Sequence, residues 1–74
     1  MPKNLRITRL YKTMTAYLAC AYAEQFCEGT DASEEEQLIA WQWISDHDTW
    51  KTLQGWYGRT VHNLLEEGHI KPKK

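Results

Sequence analysis

Histidine, cysteine and carboxylate side chains are the groups in this sequence that could bind a metal ion or carry out catalysis. A metal site would have to draw on Asp46, His47, Asp48, His62 and His69. No pair of histidines has the H-x-x-x-H spacing that brings two ligands to one helix face, and the cysteines do not form C-x-x-C. We therefore expect no metal and no cofactor.

A nucleophilic cysteine would need to be exposed beside a histidine that activates it. Cys20 and Cys27 instead lie among alanines, in a stretch that reads as small and buried. The sequence has neither a phosphate-binding loop nor a dinucleotide fingerprint. The acids of residues 34–36 and 66–67 fall at helix ends, where solvated carboxylates are common. We expect that the chain is not an enzyme.

Recognition of a partner is the chemistry that the remaining residues favour. On a helical projection, Trp56 groups with Thr52, Arg59 and Asn63, away from the apolar stripe of the same segment. Tryptophan and arginine are the residue types most enriched at binding hot spots. The alternative is that Trp56 packs on the first helix and that Arg59 only screens a nearby acid.

Acidic residues around the start of the second helix form a second candidate contact surface. Asp31, Glu34, Glu35 and Glu36 lie within six residues of one another, and residues 24–48 contain no lysine or arginine. This patch could steer a basic partner or imitate nucleic acid. An ordinary solvated helix N-terminus is the alternative, and we prefer it for the acids taken alone.

Three helices account for the hydrophobic periodicity, at about residues 5–28, 34–45 and 49–67 of a single domain spanning 1–74. Ser33 and Glu36 have the spacing of a capping box. Gly29 should stop the first helix, and Gly68 should end the third. The second helix has apolar residues on more than one face, so Trp41 or Trp43 should meet a second surface. Residues 71–74 form a basic tail.

The first helix has a row of small residues opposite its large apolar stripe, which indicates burial on both sides. The row could pack inside the bundle or form the seam of a homodimer, because small residues let two backbones approach closely. Its members are Ala16, Ala19, Cys20, Ala23 and Cys27. A chain of 74 residues can hardly surround one of its own helices, which favours the homodimer. Both arrangements nevertheless stay open.

The sequence indicates neither a membrane-spanning protein nor a disulfide-bonded secreted one. Its longest apolar run, "AYLACAYA", is far shorter than the roughly 20 residues that a membrane span needs. Two cysteines seven residues apart on one helix would be about 10 Å apart, too far for a disulfide. We expect reduced cysteines, a cytoplasmic protein and no membrane association.

Gly55 and Gly58 interrupt a helical pattern in which each glycine costs about 1 kcal/mol relative to alanine. They could form a turn with a new helix starting at Thr60, allow a neighbouring backbone to approach, or leave a surface bare for a partner. The turn would complete a helix-turn-helix whose recognition helix carries Arg59. The basic residues that would help to bind DNA are Lys3, Arg6, Arg9 and Lys12.

The segment 53–70, "LQGWYGRTVHNLLEEGHI", resembles short tailed-bacteriophage proteins of uncharacterised function that carry an LQGxYGRTAxxLIExGxI-like segment. The likeness covers about residues 36–70. It departs at Val61, where alanine is expected, and at "DHDTW", where a D-T-G type turn is expected. The resemblance implies a phage origin and a short accessory protein that binds host or phage macromolecules, and it identifies no catalytic residue.

These observations together predict an all-α, three-helix bundle, which a second copy of the chain completes if the small residues form a homodimer seam. The expected function is a small phage-encoded protein-binding module, of the kind that inhibits or modulates a host or defence protein in the bacterial cytoplasm. Trp56 and Arg59 would anchor the partner, with Thr52, Asn63 and Trp43 around them and Glu34 and Glu35 adding electrostatic steering. The alternative is a DNA-binding regulator that uses Arg59 and the basic first helix.

Overall fold

Helices make up the regular secondary structure of this protein wherever the structure describes it. The structure is a computed structural model, and it describes residues 5–48, 51 and 55–72. The α-helices are, in chain order, α1 (Arg9–Lys12), α2 (Ala16–Glu24), α3 (Glu34–Asp46) and α4 (Gly55–Glu66), with 3₁₀ turns at Leu5–Ile7 and Cys27–Gly29. The expected all-α class and small helical bundle are confirmed.

The first predicted helix, over residues 5–28, is divided into shorter elements. The Thr15 side chain accepts a hydrogen bond from the Leu18 amide at 3.2 Å and so caps the start of α2. The Thr13 hydroxyl donates to the Arg9 carbonyl at 3.1 Å. Threonine side chains that bond to nearby backbone groups compete with the continuation of a helix. The prediction of one continuous helix was wrong because hydrophobic periodicity does not register this competition.

Gly29 has a different role from the helix stop that the sequence predicted. α2 already ends at Glu24, where Gln25 takes a left-handed conformation with φ of 59°. The chain then turns back, and the backbone of Gly29 lies directly on α2. A Cβ atom at Gly29 would come within 2.2 Å of the Ala21 carbonyl oxygen. Glycine is needed here because two stretches of backbone touch.

The start of α3 forms as predicted. The Ser33 hydroxyl accepts from the Glu36 amide at 3.1 Å, and the Glu36 carboxylate accepts from the Ser33 amide at 2.9 Å. These reciprocal bonds form the capping box and fix where the helix begins. α3 ends at Asp46, one residue beyond the predicted end.

α4 runs through both glycines without a break. Gly55 is its first described residue and Gly58 lies one turn inside it, so the turn proposed for this pair is absent. No atom lies within 4 Å of the position that a Cβ would take at Gly55, so no neighbouring backbone approaches there. The predicted start of this helix, over 49–50 and 52–54, lies outside the described residues. Asp48, the last described residue before this gap, sits in a turn with φ of 55°.

The end of α4 follows the prediction for Gly68. Gly68 has φ of +78°, its amide donates to the Leu65 carbonyl at 3.2 Å, and the His69 amide donates to the Leu64 carbonyl at 3.0 Å. This pair of bonds is the Schellman motif, in which glycine takes the left-handed position. The chain leaves the helix in the direction that buries Ile70, which is 2 % exposed.

α3 is the central helix of the bundle. It supplies Ile39, Ala40, Trp41 and Ile44 to the core, each less than a tenth exposed. The core residues contributed by the rest of the chain are Met14, Ala19, Tyr57, Val61 and Ile70. Tyr57 and Val61 lie four residues apart on one face of α4. The sequence had instead favoured the first helix as the one buried on both sides.

The small residues proposed as a dimer seam do not share one open surface. Ala19 is fully buried in the core of its own chain, while Cys20 and Ala23 are half-buried against that core. Ala16 and Cys27 are exposed. α2 packs directly on α3 here, so a second copy could not reach Ala19 without displacing α3. Ala19, Cys20 and Ala23 therefore pack within this chain, and homodimerisation stays a prediction.

A polar network fixes the first 3₁₀ turn and α1 to the end of α3. Arg6 donates to both oxygens of the Asp46 carboxylate, at 2.6 and 2.7 Å, and the Tyr11 hydroxyl donates to the same group at 2.7 Å. Burial raises the pKa of Asp46, but the hydrogen bonds from Arg6 and Tyr11 outweigh it and hold that pKa below its usual value. Burial and the bond to Asp46 raise the pKa of Tyr11 to about 12, so its hydroxyl stays a donor.

Gln42 brings the C-terminal segment to the same network. This side chain is 1 % exposed. Its amide nitrogen donates to the Lys71 carbonyl at 2.8 Å, and its oxygen accepts from the Lys71 amide at 2.7 Å. Arg6 also donates to the Pro72 carbonyl at 3.0 Å. Residues from both ends of the described chain therefore meet at one end of α3.

We predict that Gly29→Ala destabilises the protein by about 1–3 kcal/mol, because the new methyl group would overlap the backbone of α2. Gly55→Ala is the matched control. It meets no atom within 4 Å and should leave stability unchanged or raise it by up to about 1 kcal/mol. Urea unfolding of the two variants measures the difference. Equal stability of both would contradict the backbone contact at Gly29.

We predict that Asp46→Asn lowers the free energy of unfolding by about 1.5–3 kcal/mol, the range for hydrogen bonds to charged groups. The Asp46 side chain is only 10 % exposed, so water cannot replace its partners fully. Asp48→Asn is the control, since its ion pair with Lys51 is long at 3.8 Å and exposed. It should change stability by less than about 1 kcal/mol.

The effect of Asp46 should depend on pH. A carboxyl whose pKa is lowered by folding stabilises the protein above its unfolded-state pKa, and this stabilisation is lost as the pH falls through the folded-state pKa. The difference between the wild type and Asp46→Asn in urea unfolding should therefore shrink below about pH 3.8, the ordinary value. A difference that stays constant from pH 7 to pH 3 would rule out the ionised pair as its source.

Candidate functional site: the cleft between α3 and α4

An open cleft of about 370 Å³ separates α3 from α4. The side chains that α3 contributes are Glu34, Gln37, Leu38 and Trp41. They follow one another at i, i+3, i+4 and i+7, so they form a single row along one face of the helix. The capping box at Ser33 fixes the start of α3 and thereby sets which residues make up this row.

α4 and the segment after it supply the opposite wall. The lining residues there are Thr60, Leu64, Glu67 and His69. Glu34 and Glu67 line the same cleft from the first residue of α3 and from just beyond the end of α4, so the two helices run antiparallel. Leu38, Trp41 and Leu64 give the cleft an apolar floor, and the remaining lining residues are polar.

An aromatic cluster joins the two helices beside the cleft. The Trp41 and Tyr57 ring centroids are 5.3 Å apart, and Trp56 meets Trp41 edge to face at 5.9 Å with an interplanar angle of 73°. Trp56 and Tyr57 rings lie 4.4 Å apart. Such pairs each contribute about 0.5–1.5 kcal/mol beyond burial. They pack the Trp56 ring against α3 although 37 % of that residue is exposed.

Tyr57 also anchors α4 to α2. Its hydroxyl donates a hydrogen bond to the Glu24 carboxylate. Burial raises the pKa of Tyr57 most, and the hydrogen bond to Glu24 raises it further. The phenol therefore remains a protonated donor at physiological pH. The aromatic end of α4 is thus held by packing and by a hydrogen bond, which makes it a firm support for Trp56.

Negative charge collects at the other end of the cleft. Glu34 and Glu67 are both exposed, and both line it. Glu67 follows the C-terminal end of α4, where the helix dipole is unfavourable to an anion. His69 Nε2 lies 3.3 Å from the Glu67 carboxylate and is the one lining residue that can carry positive charge, among the residues described.

The partner-binding residues expected from the sequence are only partly brought together. Arg59 and Asn63 are exposed, and helix geometry places them on the same side of α4 as Trp56. Glu35 is exposed next to Glu34, while Thr52 lies outside the described residues. The alternative placed Trp56 on the first helix; the structure shows its ring in contact with Trp41 of α3 and with Tyr57.

Trp43 does not belong to this surface. It lies about 200° around α3 from Trp41, since each residue turns the helix by about 100°. Its ring stacks on His47 with centroids 4.1 Å apart and an interplanar angle of 18°. Of the two tryptophans that the sequence offered for a second surface near Trp56, Trp41 is the one that reaches it.

Four further residues line the cleft and were not predicted from the sequence: Gln37, Leu38, Thr60 and Leu64. The sequence spacing already showed a row at i, i+3, i+4 and i+7 in α3, and a row at i, i+4 and i+7 that begins in α4 and ends one residue beyond it. What was missing was the pairing of the two rows, which depends on the antiparallel packing set by the aromatic cluster.

The geometry of the described residues gives little support to a metal site, a reactive cysteine or a helix-turn-helix. Over residues 5–48, 51 and 55–72, no three histidine, cysteine or acidic side chains come close enough together to hold a metal ion. Cys20 and Cys27 are not disulfide-bonded, and Cys27 is exposed rather than buried as expected. The proposed helix-turn-helix lacks its turn, because Gly58 is helical, and Arg6 is bound to Asp46.

Comparison with known proteins adds no further identification. No protein-family model matches the chain, and neither a curated protein nor a solved structure does. None of the helices in the described part of the chain has the length and apolar character that crossing a membrane requires.

Proposed function

We propose that this chain is a small phage-encoded module that binds a protein of the bacterial host, or of its defence systems, and inhibits or modulates it. The place of action would be the host cytoplasm. The phage origin rests on the likeness of residues 53–70 to short phage proteins. The mode of action rests on the surface formed by α3 and α4.

The observation that carries this proposal is the exposed and oriented ring of Trp56 beside the cleft. A tryptophan already held in place by Trp41 and Tyr57 loses little side-chain entropy when a partner covers it. It stands next to a concave surface with an apolar floor, into which a partner could insert a side chain. Arg59 and Asn63 extend this surface with polar groups that can form hydrogen bonds at its rim.

We predict that Trp56→Ala weakens capture of the partner at least about thirtyfold, since a hot-spot truncation costs about 2 kcal/mol or more. The measurement is an affinity pull-down from bacterial lysate, with and without nuclease, followed by titration of the captured protein. Tyr17→Ala is the matched control, because Tyr17 is an exposed aromatic residue on α2, at 53 % exposure, and does not line the cleft.

A loss of fold has to be separated from a loss of contact. Trp56 is partly exposed, so its truncation should destabilise the protein by less than the 3–5 kcal/mol typical of a buried tryptophan. Arg59→Ala is a second test, because substitutions of exposed residues usually change stability by no more than about 0.5 kcal/mol. Recovery of nucleic acid alone, equal for all variants and abolished by nuclease, would contradict the proposal and favour a DNA-binding regulator.

A further inference from the structure

The α3–α4 cleft combines an apolar floor with a negatively charged end. Leu38, Trp41 and Leu64 form the floor, and the carboxylates of Glu34 and Glu67 stand at the end away from Trp56. A ligand that suits both parts needs an apolar stem and a cationic head. Lysine and arginine side chains have this construction, and they bury their methylene groups while the charge stays at a polar rim.

We infer that the cleft receives a lysine or arginine side chain of the partner protein, with its stem on the apolar floor and its cationic group beside Glu34 and Glu67. This inference deepens the proposed function and rests on it. It names the chemistry of the side chain that the partner presents next to the contact with Trp56.

Charge complementarity favours a basic occupant over a neutral or acidic one. None of the described residues that line the cleft is a lysine or arginine; His69 lies 3.3 Å from the Glu67 carboxylate and would share it with the cationic group of the partner. The whole of residues 24–48, which includes α3, is without either. The C-terminal end of α4 places a partial negative charge beside Glu67, and the N-terminal end of α3 places a partial positive charge beside Glu34. The two helix dipoles therefore offset each other, and the preference for a cation rests on the two carboxylates.

The basic residue of the described C-terminal segment is held elsewhere. The backbone of Lys71 is bound to Gln42, which lies about 12 Å along α3 from Glu34 at 1.5 Å per residue. A side chain of another molecule is therefore a better candidate than Lys71. A second copy of this protein, through the exposed Arg9 and Lys12 of α1, is the competing source.

Titration of the isotope-labelled protein with small probes, followed by NMR, tests the chemistry of the cleft directly. The probes are N-acetyl-arginine amide and N-acetyl-lysine amide, with N-acetyl-norleucine amide as a neutral control that keeps the apolar stem. We expect saturable shifts at Trp41, Thr60 and Leu64 with a basic probe and at least fivefold weaker binding of the norleucine compound. Equal binding of all three, or shifts outside the cleft, would overturn the inference.

Adjacent acids provide controls with the same change in net charge. Glu34→Gln and Glu67→Gln should each weaken binding of the basic probe about two- to fivefold, the range of exposed ion pairs. Glu35→Gln and Glu66→Gln should not, because neither residue lines the cleft. An equal effect of all four would mean general attraction to an acidic surface and would overturn the inference.

The same variants separate this inference from the proposed function. Suppose that the Glu34→Gln, Glu67→Gln double variant captures the partner as well as the wild type while Trp56→Ala does not. The protein-binding function then stands, and the inference of a basic side chain in the cleft is wrong. If the basic probes bind in the cleft but no protein is captured, the proposed function fails. Self-association that sedimentation detects and the double variant abolishes would assign the cleft to a second copy and overturn the inference of a foreign partner.

Discussion

The carboxylate of Asp46 holds together parts of the chain that are far apart in sequence. It binds Arg6 and Tyr11 from the beginning of the described chain, and Gln42, one turn earlier in α3, contacts it at 3.1 Å. A carboxylate at the end of a helix is opposed by the helix dipole, and the guanidinium of Arg6 offsets that cost. Every buried side-chain polar atom in the described residues has a hydrogen-bond partner, which such a network requires.

Different parts of α3 therefore make different kinds of contact. Its C-terminal end collects the polar bonds that fix the 3₁₀ turn, α1 and the segment around Lys71. Its middle supplies the core, and its N-terminal half faces the cleft. α4 is attached to it through Trp41 and Tyr57, so the helices meet firmly at the aromatic end and enclose open space at the other. The candidate site is therefore a consequence of where the packing between two helices stops.

Features governed by neighbouring residues could be predicted from the sequence. The capping box of Ser33 and Glu36 and the left-handed Gly68 each depend on a few adjacent positions, and both formed as expected. The all-α class followed from helical periodicity in the same way. The break before α2 was missed because the threonine at position 15 can cap a helix or continue one, and local pattern does not decide between them.

Features that depend on distant contacts could not be predicted. Nothing near Asp46 indicates that Arg6, forty residues away, would bind it. The contact of Gly29 with α2 arises only after the chain has turned back at Gln25, so the sequence suggested an ordinary helix stop. For the candidate site, the exposure of Trp56 and the acids of α3 were foreseen. The cleft itself was not, because it requires the rows of two helices to be aligned.

The bond from Arg6 to the segment around Lys71 also bears on how the molecule folds and unfolds. Its partners are 65 and 66 residues apart, so it closes a loop of nearly the whole chain. Loops of that length are entropically costly, and contacts that close them tend to form after the local helices. Interactions that are absent from the folding transition state act mainly on the rate of unfolding. The junction of the two ends would then affect how long the protein stays folded more than how fast it folds.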